Sequence, residues 1–178
     1  MGLRTRLFLC VTRGDLLRLG LIDVAEVTVN GVEELRALIG QAVGPTDWRT
    51  VTQEDIDTFA RLTGDDQWIH VDVERAKTES PFGTTVAHGN LTLSMIDGMR
   101  RGLIESRGFK LGVNYGWNRV RFPSPVPVDS KLRTSAEVMS VDDVGGGWVQ
   151  VVTKFTVEAE GMDKPVCVAE SVGRALPE

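Results

Sequence analysis

The sequence predicts an α+β fold in which one long helix packs on an antiparallel β-sheet. Residues 87–106 form the longest amphipathic stretch, because apolar side chains recur four residues apart at Leu91, Met95, Met99 and Leu103. Four segments of strand character follow, at 112–122, 131–140, 147–159 and 164–175. Proline, glycine and aspartate clusters separate these segments and predict turns. The apolar stripe of the helix is therefore expected to cover one sheet face.

The elements before the long helix are shorter. Residues 31–39 have helical spacing, and residues 48–51 suit a short strand. Thr52 is the expected N-cap of the next helix, and Gly64 is its natural C-terminal stop. Residues 65–87 then lack a long periodic pattern, which is typical of an elaborated loop that carries function.

We expect one domain over residues 28–178, with residues 1–27 as an N-terminal appendage of no assigned role. The apolar run at 7–11 is too short for a secretory signal, and no stretch approaches the roughly 18 apolar residues of a membrane span. Cys10 and Cys167 have no CxxC or Cys/His spacing, so neither a disulfide framework nor a zinc site is expected. These observations favour a soluble protein of the cytoplasm without membrane contact.

The charge of the chain restricts its partners. A formal net charge of −5 over 178 residues argues against nucleic-acid binding, which needs a basic surface. A small anionic ligand needs only a local cationic cluster. The cations that are densest in sequence alternate along predicted strands, which favours a solvated sheet face, so no binding residue is assigned among Arg119, Arg121, Lys131 and Arg133.

The chemistry concentrates around the only two histidines, His70 and His88, which lie between the loop and the start of the long helix. Asp65 precedes His70 by five residues, and the two side chains converge on one water if the loop folds back. We therefore predict Asp65 and His70 as an acid/base pair. The competing interpretation is a turn aspartate and a structurally bonded histidine.

Gly89 follows His88 at the predicted helix start. The first backbone N–H groups of a helix lack internal partners and lie at the positive end of its dipole, so they suit an oxyanion. A glycine there lets a carbonyl oxygen approach closely. The alternative is a tight entry into the helix that merely needs a small residue.

Together these segments resemble the MaoC-like, or (R)-specific, enoyl-CoA hydratase family, and within it the nodulation-protein-N-like branch. The family signature Asp-x-Asn-Pro-x-His-x-Asp appears here as Asp-Asp-Gln-Trp-Ile-His-Val-Asp at 65–72. The segments 87–91 and 114–126 are similar to the family's helix start and following strand. Gln67 and Trp68 depart from the commoner signature, and Trp68 is bulky enough either to shape an acyl pocket or to act as a core or dimer-contact aromatic.

The resemblance implies a hot-dog fold, with a long central helix on a curved sheet, and assembly as a homodimer. It also implies that Asp65 and His70 activate a water for attack at C3 of a trans-2-enoyl-CoA, giving the (R)-3-hydroxyacyl-CoA. The Gly89 amide would then stabilise the thioester oxygen. The thioester itself polarises the double bond, so we expect no metal and no cofactor, with coenzyme A only as part of the acyl-CoA substrate.

Two other functions stay open. A hot-dog thioesterase would use an acid on the helix, and Asp97 lies nine residues after His88, a spacing similar to that of some such enzymes. Asp97 is expected to point away from the apolar stripe and to pair with Arg100 or Arg101 at the surface. The third function is a non-catalytic acyl-thioester-binding module, which needs neither site.

Overall fold

The computed structural model describes residues 27–178, which form eight strands and five α-helices. The strands are β1 Val27–Asn30, β2 Ala42–Val43, β3 Arg49–Thr50, β4 Ile104–Arg107, β5 Phe109–Arg121, β6 Lys131–Asp143, β7 Val149–Ala159 and β8 Cys167–Pro177. The helices are α1 Gly31–Ala37, α2 Gln53–Thr63, α3 Trp68–Val71, α4 Val73–Glu79 and α5 Gly89–Met99. The predicted α+β class is confirmed.

The main sheet has the strand order β2-β6-β7-β8-β5, and β3 pairs with the same strand as β2. All of its pairings are antiparallel. In β7 the predicted alternation holds, since Val149, Phe155 and Val157 are buried while the residues between them are partly exposed. The buried face of β7 packs toward α5, so the helix and the sheet share one core.

Helix α5 is shorter than the 87–106 predicted. It ends at Met99, continues as one 3₁₀ turn over Arg100–Gly102, and gives way to β4. The apolar stripe is nevertheless confirmed, because Leu91, Met95, Met99 and Leu103 are all buried. Helix formation stops because β4 makes its backbone hydrogen bonds with β1 in a separate parallel pair, with Val27 opposite Ile104.

The segment before α2 forms a second small core. Helix α1 lies within the predicted 31–39, and its buried Leu35 packs with apolar residues of the sheet's far end. Strand β1 was not predicted, and it begins at Val27, one residue before the expected domain start. The rest of the predicted appendage, residues 1–26, lies outside the described residues.

Helix α2 has the predicted ends. The Thr52 hydroxyl accepts a hydrogen bond from the Asp55 amide at 3.2 Å, and the Asp55 carboxylate accepts one from the Thr52 amide at 2.9 Å. Gly64 ends the helix in the left-handed region, with φ of 76°. Within residues 27–178, every helix falls short of the length and apolarity that a membrane crossing requires.

Candidate active site

The loop after α2 brings the predicted acid and base together. Asp65 directly follows the Gly64 cap, and His70 lies in the short helix α3. One carboxylate oxygen of Asp65 and one ring nitrogen each of His70 and His88 lie within 4.8 Å of one another. A carboxylate and an imidazole at this separation can share one water molecule. The assignment of Asp65 and His70 as catalytic stays a prediction.

His70 is held in one tautomer by the backbone. The residue is 8% exposed, and its Nδ1 lies 2.6 Å from the carbonyl oxygen of Val86. A carbonyl only accepts, so Nδ1 carries the proton and Nε2 keeps its lone pair. Burial lowers the pKa of His70 below its ordinary 6.5, and neighbouring His88 lowers it further, against the opposing effects of the Val86 carbonyl and Asp65. The imidazole is therefore an uncharged base at neutral pH.

His88 connects the two predicted catalytic residues. It is the N-cap residue of α5 and is 3% exposed. Its Nε2 lies 2.9 Å from the backbone carbonyl oxygen of Asp65, and its ring stacks on that of His70 at a centroid distance of 3.7 Å. His88 was not among the site residues predicted from the sequence. The sequence did contain a signal for a role of His88, because it is one of only two histidines and stands next to Gly89.

Gln53 is a second residue of the site that sequence reasoning missed. From the first turn of α2 its side-chain amide donates to the backbone carbonyl of His70 at 2.8 Å and accepts from the buried Thr85 hydroxyl at 2.6 Å. The Val86 amide also donates to the Ile69 carbonyl. These hydrogen bonds connect α2 and α3 to the segment before α5, so the backbone on both sides of His70 is fixed. No local sequence pattern signals these long-range bonds.

The remaining signature residues have structural roles. Asp72 caps α4 by accepting from the Arg75 amide at 3.0 Å. Trp68 is partly buried, and the Arg75 guanidinium lies over its ring at 4.3 Å. Helix α3 forms without the proline of the commoner signature, because the Gln67 carbonyl accepts from the His70 amide at 2.9 Å. His70 therefore lies in a short helix although Gln67 and Trp68 replace the asparagine and proline of the commoner signature.

Gly89 is the first residue of α5, so its amide has no partner within the helix. A Cβ at this position would lie 2.8 Å from Cδ2 of Phe122, closer than packed carbon atoms tolerate. Gly89 also borders a cavity of about 210 Å³, whose wall includes Phe82, Ala87, Thr92, Phe122, Val126 and Val166. The structure therefore gives a packing reason for the glycine beside the predicted oxyanion role.

The other charged candidates lie away from this cluster. Asp97 is exposed and pairs with Arg100 at 3.1 Å, as expected for a surface pair. It stands about 12 Å along the helix from Gly89, at 1.5 Å per residue. Lys131 and Arg133 pair with acidic residues of the sheet region, so these two cations are surface ion pairs. A further cavity of about 590 Å³ lies near Arg100 and Arg101, at the opposite end of α5 from the histidines.

A metal ion is poorly matched to the three clustered side chains. His70 uses Nδ1 on the Val86 carbonyl, and His88 uses Nε2 on the Asp65 carbonyl. The remaining nitrogens belong to rings stacked with only 27° between their planes. Their lone pairs lie in nearly parallel planes, so they do not converge on one ion as tetrahedral coordination requires.

Several known proteins are similar to this chain. The family model described as MaoC like domain matches residues 34–160. A Mycobacterium tuberculosis protein named 3-hydroxyacyl-thioester dehydratase Z is 50% identical over 147 residues, which cover 83% of this chain and 97% of that protein. Nodulation protein N of Rhizobium leguminosarum bv. viciae is 43% identical over 132 residues, covering 74% of this chain and 82% of that protein.

Solved structures give the same result. The X-ray structure titled monoamine oxidase regulatory protein, from Archaeoglobus fulgius, has a TM-score of 0.71 at 30% identity and covers 87% of this chain and 99% of that chain. The hot-dog fold implied by the family resemblance is confirmed. The chain belongs to the MaoC-like dehydratase family, consistent with its nodulation-protein-N-like branch, and is an enzyme of the hydratase/dehydratase class.

Proposed function

We propose that the chain catalyses the reversible (R)-specific hydration of trans-2-enoyl-CoA to (R)-3-hydroxyacyl-CoA. The observation that carries the proposal is the close approach of the Asp65 carboxylate to the ring of His70, whose Nδ1–H is fixed on Val86. The hydrogen bond to Val86 leaves Nε2 of His70 as the basic nitrogen in a largely buried site, beside the exposed carboxylate of Asp65. Such a pair can bind one water and move its protons.

In the hydration direction, Asp65 and His70 hold one water against the enoyl thioester. The water oxygen bonds to C3 as one of the two residues takes its proton, and the C2–C3 π electrons move toward the thioester carbonyl. A proton then returns to C2 on the same face, which completes the addition of water. Dehydration follows the same steps in reverse.

Negative charge grows on the thioester oxygen during this step, so a fixed donor there lowers the barrier. We assign this role to the Gly89 amide, which stands at the positive end of α5. The small cavity beside Gly89 and Phe122 is apolar in most of its wall and suits the first carbons of an acyl chain. The thioester polarises the double bond, so the proposed reaction needs neither metal nor cofactor.

The named relatives support this type of reaction. A 3-hydroxyacyl-thioester dehydratase removes the elements of water that a hydratase adds, and the matched relative of that name is covered over 97% of its length. Asp97 offers no support for the thioesterase alternative, because its carboxylate pairs with Arg100 on an exposed helix face. We therefore extend the dehydratase chemistry, with a CoA thioester as substrate, to this chain.

We also propose that the enzyme works as a homodimer. Among residues 27–178, strand β5 forms one end of the main sheet, and its apolar Leu111, Val113 and Tyr115 are exposed in the single chain. An edge strand leaves backbone groups that a second copy can pair with, and two-fold symmetry closes such an assembly.

The proposed reaction is tested with crotonyl-CoA and the full chain. We expect enoyl-thioester absorbance to fall on addition of enzyme, and the product to be oxidised by an (R)-specific but not an (S)-specific 3-hydroxyacyl-CoA dehydrogenase. An (S) product would overturn the stereochemical proposal. Absence of hydration across a series of enoyl-CoA chain lengths would overturn the proposed function.

A further inference from the structure

His88 makes two contacts of different kinds with the proposed catalytic pair. Its ring face lies on the ring of His70, with centroids 3.7 Å apart and planes inclined by 27°. Its edge contacts the backbone of Asp65, through Nε2 and the carbonyl oxygen at 2.9 Å. Phe59 of α2 packs on the same ring at a centroid distance of 5.1 Å. One buried side chain therefore touches both residues that hold the proposed water.

The hydrogen bond to Asp65 determines where His88 carries its proton. A backbone carbonyl only accepts, so Nε2 must be the protonated nitrogen of the ring. Nδ1 is then an acceptor, and it is buried without a hydrogen-bond partner among the described residues. The geometry therefore matches the Nε2–H tautomer.

An unpartnered polar atom in the interior lowers stability, because it has lost its hydration and gained nothing in return. A phenylalanine would keep an aromatic ring between Phe59 and His70 without this penalty, although its ring is larger. The aromatic contacts alone therefore do not explain why a histidine stands here. The feature that phenylalanine cannot reproduce is the N–H that holds the Asp65 carbonyl.

We propose that His88 is a positioning residue of the hydratase, which fixes the backbone of Asp65 through Nε2–H and the ring plane of His70 through stacking. The inference rests on the proposed function, because positioning has meaning only for a pair that shares a water. Small displacements of a catalytic group lower turnover strongly, so a single residue that sets both groups has a large effect on kcat. The substrate does not need to touch His88.

Two substitutions separate the hydrogen bond of His88 to Asp65 from its stacking on His70. His88→Phe keeps an aromatic ring against His70 and removes the donor to Asp65, whereas His88→Gln keeps an N–H at a similar reach and removes the ring. We expect His88→Phe to lower kcat for crotonyl-CoA about 10- to 100-fold. KM should stay within about twofold. Tm should fall only modestly, because the loss of the unpartnered Nδ1 offsets part of the cost of a larger ring and of an unpaired Asp65 carbonyl. His88→Gln should recover part of the lost kcat.

The outcomes that overturn the proposal are distinct from failure of the proposed function. Parental kcat in His88→Phe, measured well below the Tm of both proteins, would show that His88 is only a packing residue. Nitrogen NMR of the parent chain is expected to show His88 as the Nε2–H tautomer, and an Nδ1–H tautomer would overturn the geometry independently of activity. A parent enzyme that fails to hydrate enoyl-CoA would instead refute the proposed function.

Discussion

The Nδ1 atom of His70 lies 2.6 Å from the carbonyl oxygen of Val86, and this contact leaves Nε2 as the nitrogen available for proton transfer. Val86 is itself fixed, because its amide donates to the carbonyl of Ile69 in α3. The segment that leads into α5 therefore determines which nitrogen of the imidazole carries the proton. A free histidine in a mobile loop would exchange between both tautomers.

Substitution of either member of the pair should abolish most hydration. Asp65→Asn and His70→Gln are each expected to lower kcat for crotonyl-CoA by about 10²- to 10⁴-fold, since an amide does not act as a base. Asp65 is exposed, so its substitution should leave Tm close to that of the parent. Stopped-flow or steady-state absorbance of the enoyl thioester measures the loss.

Asp66→Asn is the matched control, because it removes the same charge from the next residue of the same exposed loop. It should retain parental turnover. If Asp66→Asn lost as much activity as Asp65→Asn, the effect would come from loop charge, and near-parental turnover in Asp65→Asn would show that the acid is assigned wrongly.

The pH dependence of kcat/KM should report the buried base. Burial lowers the pKa of His70 below its ordinary 6.5, so the reactive uncharged form persists below that pH. We expect kcat/KM to hold through pH 6.5 and to fall only at more acidic pH, as His70 takes up a proton. An acid limb centred above 6.5 would contradict the effect of burial.

The same shift has a consequence for stability. Between the lowered folded pKa and 6.5, the unfolded chain binds more protons at His70 than the folded chain does. The contribution of His70 is therefore fully present above pH 6.5 and is lost as pH falls through the folded pKa. Urea unfolding of the parent and His70→Gln over this range should show a steeper acid loss in the parent.

Gly89 is expected to be required for two separate reasons. Gly89→Ala places a Cβ 2.8 Å from Phe122, which should destabilise the fold by about 1–3 kcal/mol through overpacking. Adding Phe122→Leu should restore Tm by making room. We expect the double variant to remain poorly active, because the Cβ still occupies the side of the cavity where the thioester oxygen must approach.

The single variant Phe122→Leu is the control for this pair and should keep most of the parental kcat. Full recovery of hydration in Gly89→Ala/Phe122→Leu would show that only packing requires the glycine. Another hydrogen-bond donor would then have to stabilise the thioester oxygen.

Local signals predicted several elements correctly, whereas the sequence did not reveal contacts between distant residues. The Thr52 cap, the Gly64 stop and the stripe of α5 are encoded by residues close together in the chain, and all three are confirmed. The end of α5 was wrong because Ile104 belongs to a strand whose partner, Val27, lies far earlier in the chain. Amphipathic spacing alone does not show that pairing.

The candidate site also combines features that local sequence predicts with contacts between distant residues. The register of Asp65 and His70 is readable in the sequence, and the structure brings both side chains together. The stack of His88 on His70 and the approach of Phe122 to Gly89 depend on how loop, helix and sheet meet. Such contacts have no fixed spacing, so no pattern predicts them.

The exposed strip on β5 should be covered by a second copy of the chain. Light scattering is expected to give twice the chain mass at micromolar concentration. Val113→Lys should shift the protein toward monomer, because it introduces a charge at a side chain that is 40% exposed in the single chain. Val144→Lys, at a side chain 37% exposed beyond the end of β6, should remain dimeric. A stable parental monomer would refute the dimer.

The last prediction separates hydration from thioester hydrolysis. Asp97→Ala should keep parental hydration of crotonyl-CoA, because the carboxylate is exposed, pairs with Arg100 at 3.1 Å and stands about 12 Å along α5 from Gly89. Exposed pairs of this kind contribute only a few tenths of a kcal/mol, so Tm should change little. With butyryl-CoA, which has no double bond to hydrate, the parent should release negligible free thiol. Thiol release that Asp97→Ala abolishes and Asp65→Asn leaves unchanged would establish the thioesterase instead.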